Sequence, residues 1–209
     1  DESRERERMR LPQLRNQQAD RERNLSLADF VAPLGSGVKD YVGAFAVTAG
    51  LGLEELAGRY RSEGDDYSAI MAKLLADRLT EAFAEALHRY ARVTLWGYER
   101  EGQWSVGDLL AEKYQGIRPA FGYPSAPDHS LKADVFALMD VGTVTGMTMT
   151  ESYMIVPGEA ACGLMLGHPE ARNFSVGRID SEQLASYAAR RGTDPEKMRV
   201  LIPQHLIDM

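Results

Sequence analysis

YSAIMAKLLADRLTEAFAEALHRYAR, running from Tyr67 to Arg92, is the most strongly patterned stretch of this sequence. It contains no Gly and no Pro, and most of its residues are good helix formers. Ile70, Leu74, Leu75, Leu79, Phe83, Leu87 and Tyr90 recur at helical spacing, which predicts one long amphipathic helix. Asp65 or Asp66 is placed to cap its start. Gly97 stops its extension.

Reading outward from that helix, Tyr41 to Ala49 is mostly apolar and rich in β-formers, as a buried strand is. Gly50 and Gly52 end it, and Glu54 to Glu63 reads as a helix. Downstream, a shorter helix is expected over Val106 to Tyr114, and another over Leu131 to Met139. Met147 to Val156, Ala161 to Leu166 and Phe174 to Ile179 read as strands. Asp180 or Ser181 caps a helix that runs to about Arg191, with Gly192 where a C-terminal glycine belongs. Hairpins mixed with separate helices predict an α+β fold. Its expected form is a twisted, largely antiparallel sheet with the long helix packed on it and several shorter helices.

Three stretches of different character follow. Residues 1–24 are dense in Arg, Glu and Gln, and are expected to be solvated or weakly helical, as part of a truncated upstream region. The Asp at position 1 points the same way. Residues 25–192 form the expected core, and 193–209 a short, loosely docked tail.

Composition narrows the function classes. The chain has 209 residues, 24 Lys plus Arg against 31 Asp plus Glu, and a formal charge of −7. That balance gives no support to general nucleic-acid binding, which wants a basic face. The single cysteine, Cys162, can form no internal disulfide and reads as a small buried hydrophobe. The longest uncharged stretch, about Tyr41 to Leu53, is too short to span a bilayer. The N-terminus is charged from its first residues and does not read as a signal peptide, so a cytoplasmic location without membrane partners is expected. No phosphate-loop, dinucleotide or nucleophile-elbow motif is present.

Two groups of residues carry candidate chemistry. Gln115 to Pro124 is long and irregular, stiffened by proline and aromatics. In it, Arg118 offers a planar fork to a carboxylate, Gly122 permits close backbone approach, and Tyr123 adds a ring and a hydroxyl. Such a loop could hold a small zwitterion, or be a rigid surface loop. The second group is on the long helix. Asp77, Glu81 and Glu85 lie four residues apart and share one stripe. They could bind a metal, receive an ammonium or sulfonium group, or face water. His88 follows Glu85 by three residues, but no second His or Cys completes a metal set.

The loop Gly116-Ile117-Arg118-Pro119-Ala120-Phe121-Gly122-Tyr123-Pro124, followed by Pro127-Asp128-His129, resembles the signature of the activation domain of cobalamin-dependent methionine synthases. The resemblance continues in order through Leu27–Pro33, Asp65–Tyr67, Leu75–Glu85, Trp96–Tyr98, Thr145–Ser152 and His168–Ala188, from about Leu25 to Gly192. It implies that the chain binds S-adenosylmethionine and docks on the cobalamin module of the same methyltransferase. There it would allow reductive remethylation of cob(II)alamin, supporting methionine biosynthesis from homocysteine, with flavodoxin or a related flavoprotein as reductant. Cobalamin is then carried by the separate module, zinc lies elsewhere in the full synthase, and the isolated piece has no complete activity and no catalytic residue of its own. By resemblance, Arg118 takes the ligand carboxylate, Ala120 and Gly122 offer backbone contacts, and Tyr123, Asn173 and Phe174 lie at the ligand. Glu81 stands beside the ligand or the cobalamin face. Asp77 resembles the acid that meets the histidine released from cobalt. The chain departs from the family at Phe121, often proline there, and at Asn173, aromatic there. The family's upstream part holds a further acid at the ligand, which has no match in these residues. A stand-alone corrinoid-protein reactivator, or an S-adenosylmethionine-binding module not fused to a synthase, is the alternative. A third reading is an interaction surface without a working ligand site.

Overall fold

The structure, a computed structural model, describes residues 5–18 and 23–206. Parts of the charged N-terminal stretch and the end of the tail therefore lie outside the described residues. In chain order the elements are β1 (Val42–Thr48), α1 (Leu53–Ser62), α2 (Asp66–Tyr90), α3 (Val106–Leu110), α4 (Leu131–Met139) and α5 (Val141–Thr145). Then come β2 (Thr148–Met149), β3 (Ile155–Val156), β4 (Ala160–Leu166), α6 (Ser181–Arg191) and α7 (Pro195–Leu201).

β1 and β4 pair antiparallel along their whole length, with Val42 opposite Leu166 and Thr48 opposite Ala160. The other edge of β4 takes the proline-rich segment. Ile117 and Leu166 exchange two backbone bonds, Leu164 donates to the Pro119 carbonyl, and Phe121 donates to Cys162. Residues 117–121 thus act as an irregular third strand. Pro119 turns only its carbonyl to β4, so the pairing lacks one ladder bond there, which an irregular outer strand tolerates. The approach is close enough that a Cβ on Gly163 would lie 2.2 Å from the Pro119 carbonyl oxygen.

α2 packs across β1 and β4, as expected, but not through its large residues. Its buried positions are Ala69, Ala76, Thr80, Ala84 and His88, and around Ala84 the core is Phe45, Val47 and Met165. Ile70, Leu74, Leu75, Leu79, Phe83 and Tyr90 are each more than half exposed. Small side chains let the helix backbone sit near the sheet. Thr80 also bonds to the strand ends, donating to the Glu159 carbonyl at 2.9 Å and accepting from the Ala49 N–H at 3.1 Å. A bulky residue there would break both bonds. Asp65 caps the helix, accepting from the Ser68 N–H. After Tyr90 the helix continues as a π-turn over Ala91–Leu95, and the chain reverses at Gly97, whose φ is 69°.

Other expectations shift. The helix predicted over Val106 to Tyr114 ends at Leu110, because Glu112 takes a positive φ of 50° and turns the chain out of it. The strand predicted over Met147 to Val156 is a hairpin, β2 with β3, reversed where Tyr153 has φ 62°. Among the described residues, Phe174 to Ile179 forms no ladder. Val176 donates to the Pro124 carbonyl, and Ile179 makes only an isolated bridge to Leu206.

The main core lies between the sheet and α4, with Leu131, Val135, Ile155, Leu164 and Leu166 among its members. A second core joins the segment around Leu14 to the last helices. Leu14, Val176, Ile179, Leu184, Tyr187, Met198 and Ile202 pack together there. The tail is therefore docked through α7, capped by Asp194 with Pro195 in its first turn. Residues 11–18 are not freely solvated either. Leu14 and Asn16 are buried, Asn16 donates to the Ser175 carbonyl at 2.6 Å, and Arg15 bonds both oxygens of Asp29. Phe174 touches both cores. Among the described residues no helix is long and apolar enough to cross a membrane.

Candidate functional site

The irregular strand 117–121, the side of α2 and the segment at 173–175 enclose a cleft of about 520 Å³. Glu81, Arg118, Ala120, Tyr123, Asn173 and Phe174 line it together. Of the candidate ligand residues, only Gly122 lies outside it. The pairing of residues 117–121 on β4 explains how Arg118 and Ala120 come to share one cleft: alternate residues of a strand point the same way. Since Phe121 N–H is spent on β4, the Ala120 N–H faces the open edge.

Arg118 is largely buried, at 20% side-chain exposure, and its Nη1 meets Glu85 Oε2 at 2.5 Å. The Tyr114 hydroxyl accepts from the same Nη1 and donates to Glu85 at 2.9 Å. Behind them Arg92, fully buried, donates from Nε to Glu99 at 2.7 Å and from Nη1 to His88 Nδ1 at 2.8 Å. With Nδ1 facing a guanidinium, His88 is a neutral acceptor. Burial, then the charges of Arg92 and Arg118, push its pKa down to about 3. Among the described residues no group of three His, Cys, Asp or Glu could hold a metal ion.

The acidic stripe on α2 is not a uniform solvated face. Glu85 points inward to Arg118. Glu81 lies at the cleft beside Tyr123, whose hydroxyl pKa is raised by partial burial first, then by the Glu81 carboxylate. Asp77 is exposed, one turn further out, away from the cleft lining. Gly122 borders a smaller adjoining cavity of about 150 Å³, with His129 and Lys132. Its N–H is spent on the Ala126 carbonyl. Glycine is needed there because φ is 95° and a Cβ would lie 2.3 Å from the His129 ring.

Sequence reading missed Glu112 and Tyr114, both lining the cleft. Asn173 donates to Glu112 at 3.1 Å. The only local trace of Glu112 is its positive φ, which no pattern of residue types reveals. A larger groove, about 800 Å³, lies over Trp96 and Tyr98, but its polar groups are already used. There Asp29 is paired with Arg15, Asp40 accepts from the Ala32 and Tyr41 N–H groups, and His168 accepts from Glu170. The smaller cleft has an ionic edge still open: Nε and Nη2 of Arg118 make no hydrogen bond among the described residues. With acids on the facing rim and the rings of Tyr123 and Phe174 as walls, it suits a small molecule bearing a carboxylate, a cationic centre and a flat group.

Comparison with known proteins agrees with the geometry. A family model described as vitamin B12 dependent methionine synthase, activation domain, matches residues 1–192. The match begins ahead of Leu25, where the sequence resemblance starts. A solved structure of the MetH reactivation domain bound to AdoHcy superposes with a TM-score of 0.91 at 43% identity, over 94% of this chain and 61% of that one. The chain thus spans about three fifths of that neighbour, and its α+β architecture is that of the reactivation domain. On the family match over nearly all of its length, the chain belongs to the activation-domain family of vitamin B12-dependent methionine synthases.

Proposed function

We propose that the chain binds S-adenosylmethionine in the Arg118 cleft and presents it to the cobalamin module of a methionine synthase for reductive remethylation. The observation that carries this is the free Nε–Nη2 edge of Arg118, set in one cleft with Glu81, Tyr123 and Phe174. It is supported by the likeness to a domain with S-adenosylhomocysteine bound. Arg118 receives the carboxylate as a charge-assisted pair. Ala120 offers its N–H, Gly122 sets the turn that holds Tyr123 in place, and Tyr123, Asn173 and Phe174 line the bound molecule. Glu81 stands beside the sulfonium or the docked module. The cobalamin module supplies the methyl-accepting cobalt, and a flavodoxin-like protein the electron. This chain's part is orientation and electrostatics.

Docking is supported by α2. Leu75, Leu79 and Phe83 form an exposed apolar row near Asp77 and Glu81, and exposed apolar patches mark interaction surfaces. Asp77 would meet the histidine displaced from cobalt. In the intact synthase, Asp77→Asn should lower the histidine-off fraction in the visible spectrum and leave the melting temperature of this chain unchanged. An unchanged spectrum removes Asp77 from the interface.

The ligand assignment is tested by thermal shift and calorimetry. S-Adenosylmethionine and S-adenosylhomocysteine should both stabilise the chain, and ATP should not, since the sequence carries no phosphate-loop motif. Stabilisation by ATP alone overturns the proposal.

A further inference from the structure

The ion pairs behind Arg118 continue deeper than any ligand in the cleft could touch. Glu85 uses Oε2 on Arg118, while its Oε1 lies 3.5 Å from Nη2 of Arg92. Arg92 is matched in turn by Glu99 at 2.7 Å, and its guanidinium lies 3.7 Å from the Tyr114 ring centre. Arg92, Glu99 and Tyr114 are all buried. Along the chain Arg118, Glu85, Arg92, Glu99 the charges alternate and balance. Such a buried chain contributes little net stability, because desolvation offsets the attraction. Both groups that hold Arg118, the Glu85 carboxylate and the Tyr114 hydroxyl, grip the same nitrogen, Nη1. A guanidinium is planar, so fixing one nitrogen from two directions fixes where its opposite edge points.

We propose that Glu85 and Tyr114, backed by Arg92, are positioning residues that clamp Arg118 by Nη1 and so preorganise its Nε–Nη2 edge for the ligand carboxylate. The inference rests on the cleft being an S-adenosylmethionine site. Alone, Glu85 would neutralise Arg118 and oppose the incoming carboxylate. Arg92 prevents this by drawing on the second oxygen of Glu85, and Glu99 balances Arg92. The rotamer freedom that Arg118 would otherwise lose on binding is then already lost in the free chain.

The test is discrimination between two ligands, measured by calorimetry on the full 209-residue chain. One is S-adenosylhomocysteine. The other is S-adenosyl-3-thiopropylamine, identical except that it lacks the carboxylate. The ratio of their Kd values reads the Arg118–carboxylate contact and cancels effects common to both. It should be largest in the wild type and smallest in Arg118→Ala. In Tyr114→Phe and Glu85→Gln it should fall roughly three- to tenfold, the worth of one lost anchoring hydrogen bond. Tyr114→Phe keeps the ring beneath Arg92, so it carries the test even if Glu85→Gln fails to fold. Equal weakening of both ligands, with the ratio unchanged, overturns the clamp and leaves the chain of ion pairs purely structural. A ratio in Glu85→Gln above the wild type also overturns it, since Glu85 would then be a competitor. A wild-type chain that binds neither compound sinks the ligand assignment itself, a result distinct from either.

Discussion

At the scale of single residues, the cleft depends on a few side chains whose partners differ sharply. Arg118 sits against Glu85 and Tyr114 with one edge open. Arg118→Ala should weaken S-adenosylhomocysteine binding by roughly 2–4 kcal/mol, because a charged ligand group loses its partner in a partly desolvated site. Arg118→Lys should also lose affinity, lacking the planar fork. Equal Kd values for the three proteins in calorimetry would return Arg118 to a structural role. Gly122 was readable as a glycine that something needed, but its neighbour was not. The residue against it is the His129 ring, so Gly122→Ala should strain the loop, lower the melting temperature and weaken ligand together. Glu85 carried the opposite difficulty. Its place in a row with Asp77 and Glu81 gave it no role of its own, and only tertiary contacts separate the half-buried partner of Arg118 from the exposed Asp77.

At the scale of elements, α2 is the case where period and packing disagree. The row of large apolar residues made the helix legible, yet Ala76, Thr80 and Ala84 are on its buried side. Ala84→Leu should therefore cost about 1–3 kcal/mol or more through overpacking. Leu79→Ala, on the exposed row, should cost less than about 0.5 kcal/mol beyond propensity. Thermal denaturation of the two variants checks the order, and the reverse order would mean the helix is rotated. The same helix carries a pH dependence. His88 is neutral when folded, with its pKa pushed down to about 3 by burial first and then by Arg92 and Arg118. The unfolded chain binds this proton near pH 6.5. The contribution of His88 is thus fully present above pH 6.5 and is lost as the pH falls from there toward 3. The slope over that window is up to about 1.4 kcal/mol per pH unit. Urea melts between pH 7 and pH 4 should show this component in the wild type and lack it in His88→Gln.

At the scale of the whole molecule, segments far apart in the chain, around Leu14 and along α7, close a core of their own. Leu14 enters it from one side and Met198 and Ile202 from the other, around Tyr187 of α6. The Tyr187 hydroxyl donates to Asp128, itself buried, at 2.7 Å. This ties the second core to the end of the ligand-loop segment, and Phe174 links both cores to the cleft. Leu14→Ala should cost about 2–4 kcal/mol, as a buried leucine does. That loss should appear as a lower melting temperature. No change would mean that residues 11–18 are not part of the folded unit.

The sequence by itself determined the local choices: the span of α2 with an aspartate at its cap, β1 and β4, α6 with Gly192 behind it, and a stiff segment bearing Arg118. Each depends on propensity, caps and short-range periodicity, which neighbouring residues carry within themselves. Only the tertiary structure decided which face of α2 is buried, that Pro119 lies at a sheet edge, and that Glu112 and Tyr114 join the cleft. The same holds for the chain of ion pairs through Arg92, and for the docking of residues 11–18 and of α7. Those outcomes rest on contacts between residues far apart in the chain. Close approach of backbones selects small side chains there, and desolvation of a charge selects a partner for it, and neither selection leaves a periodic mark in the sequence.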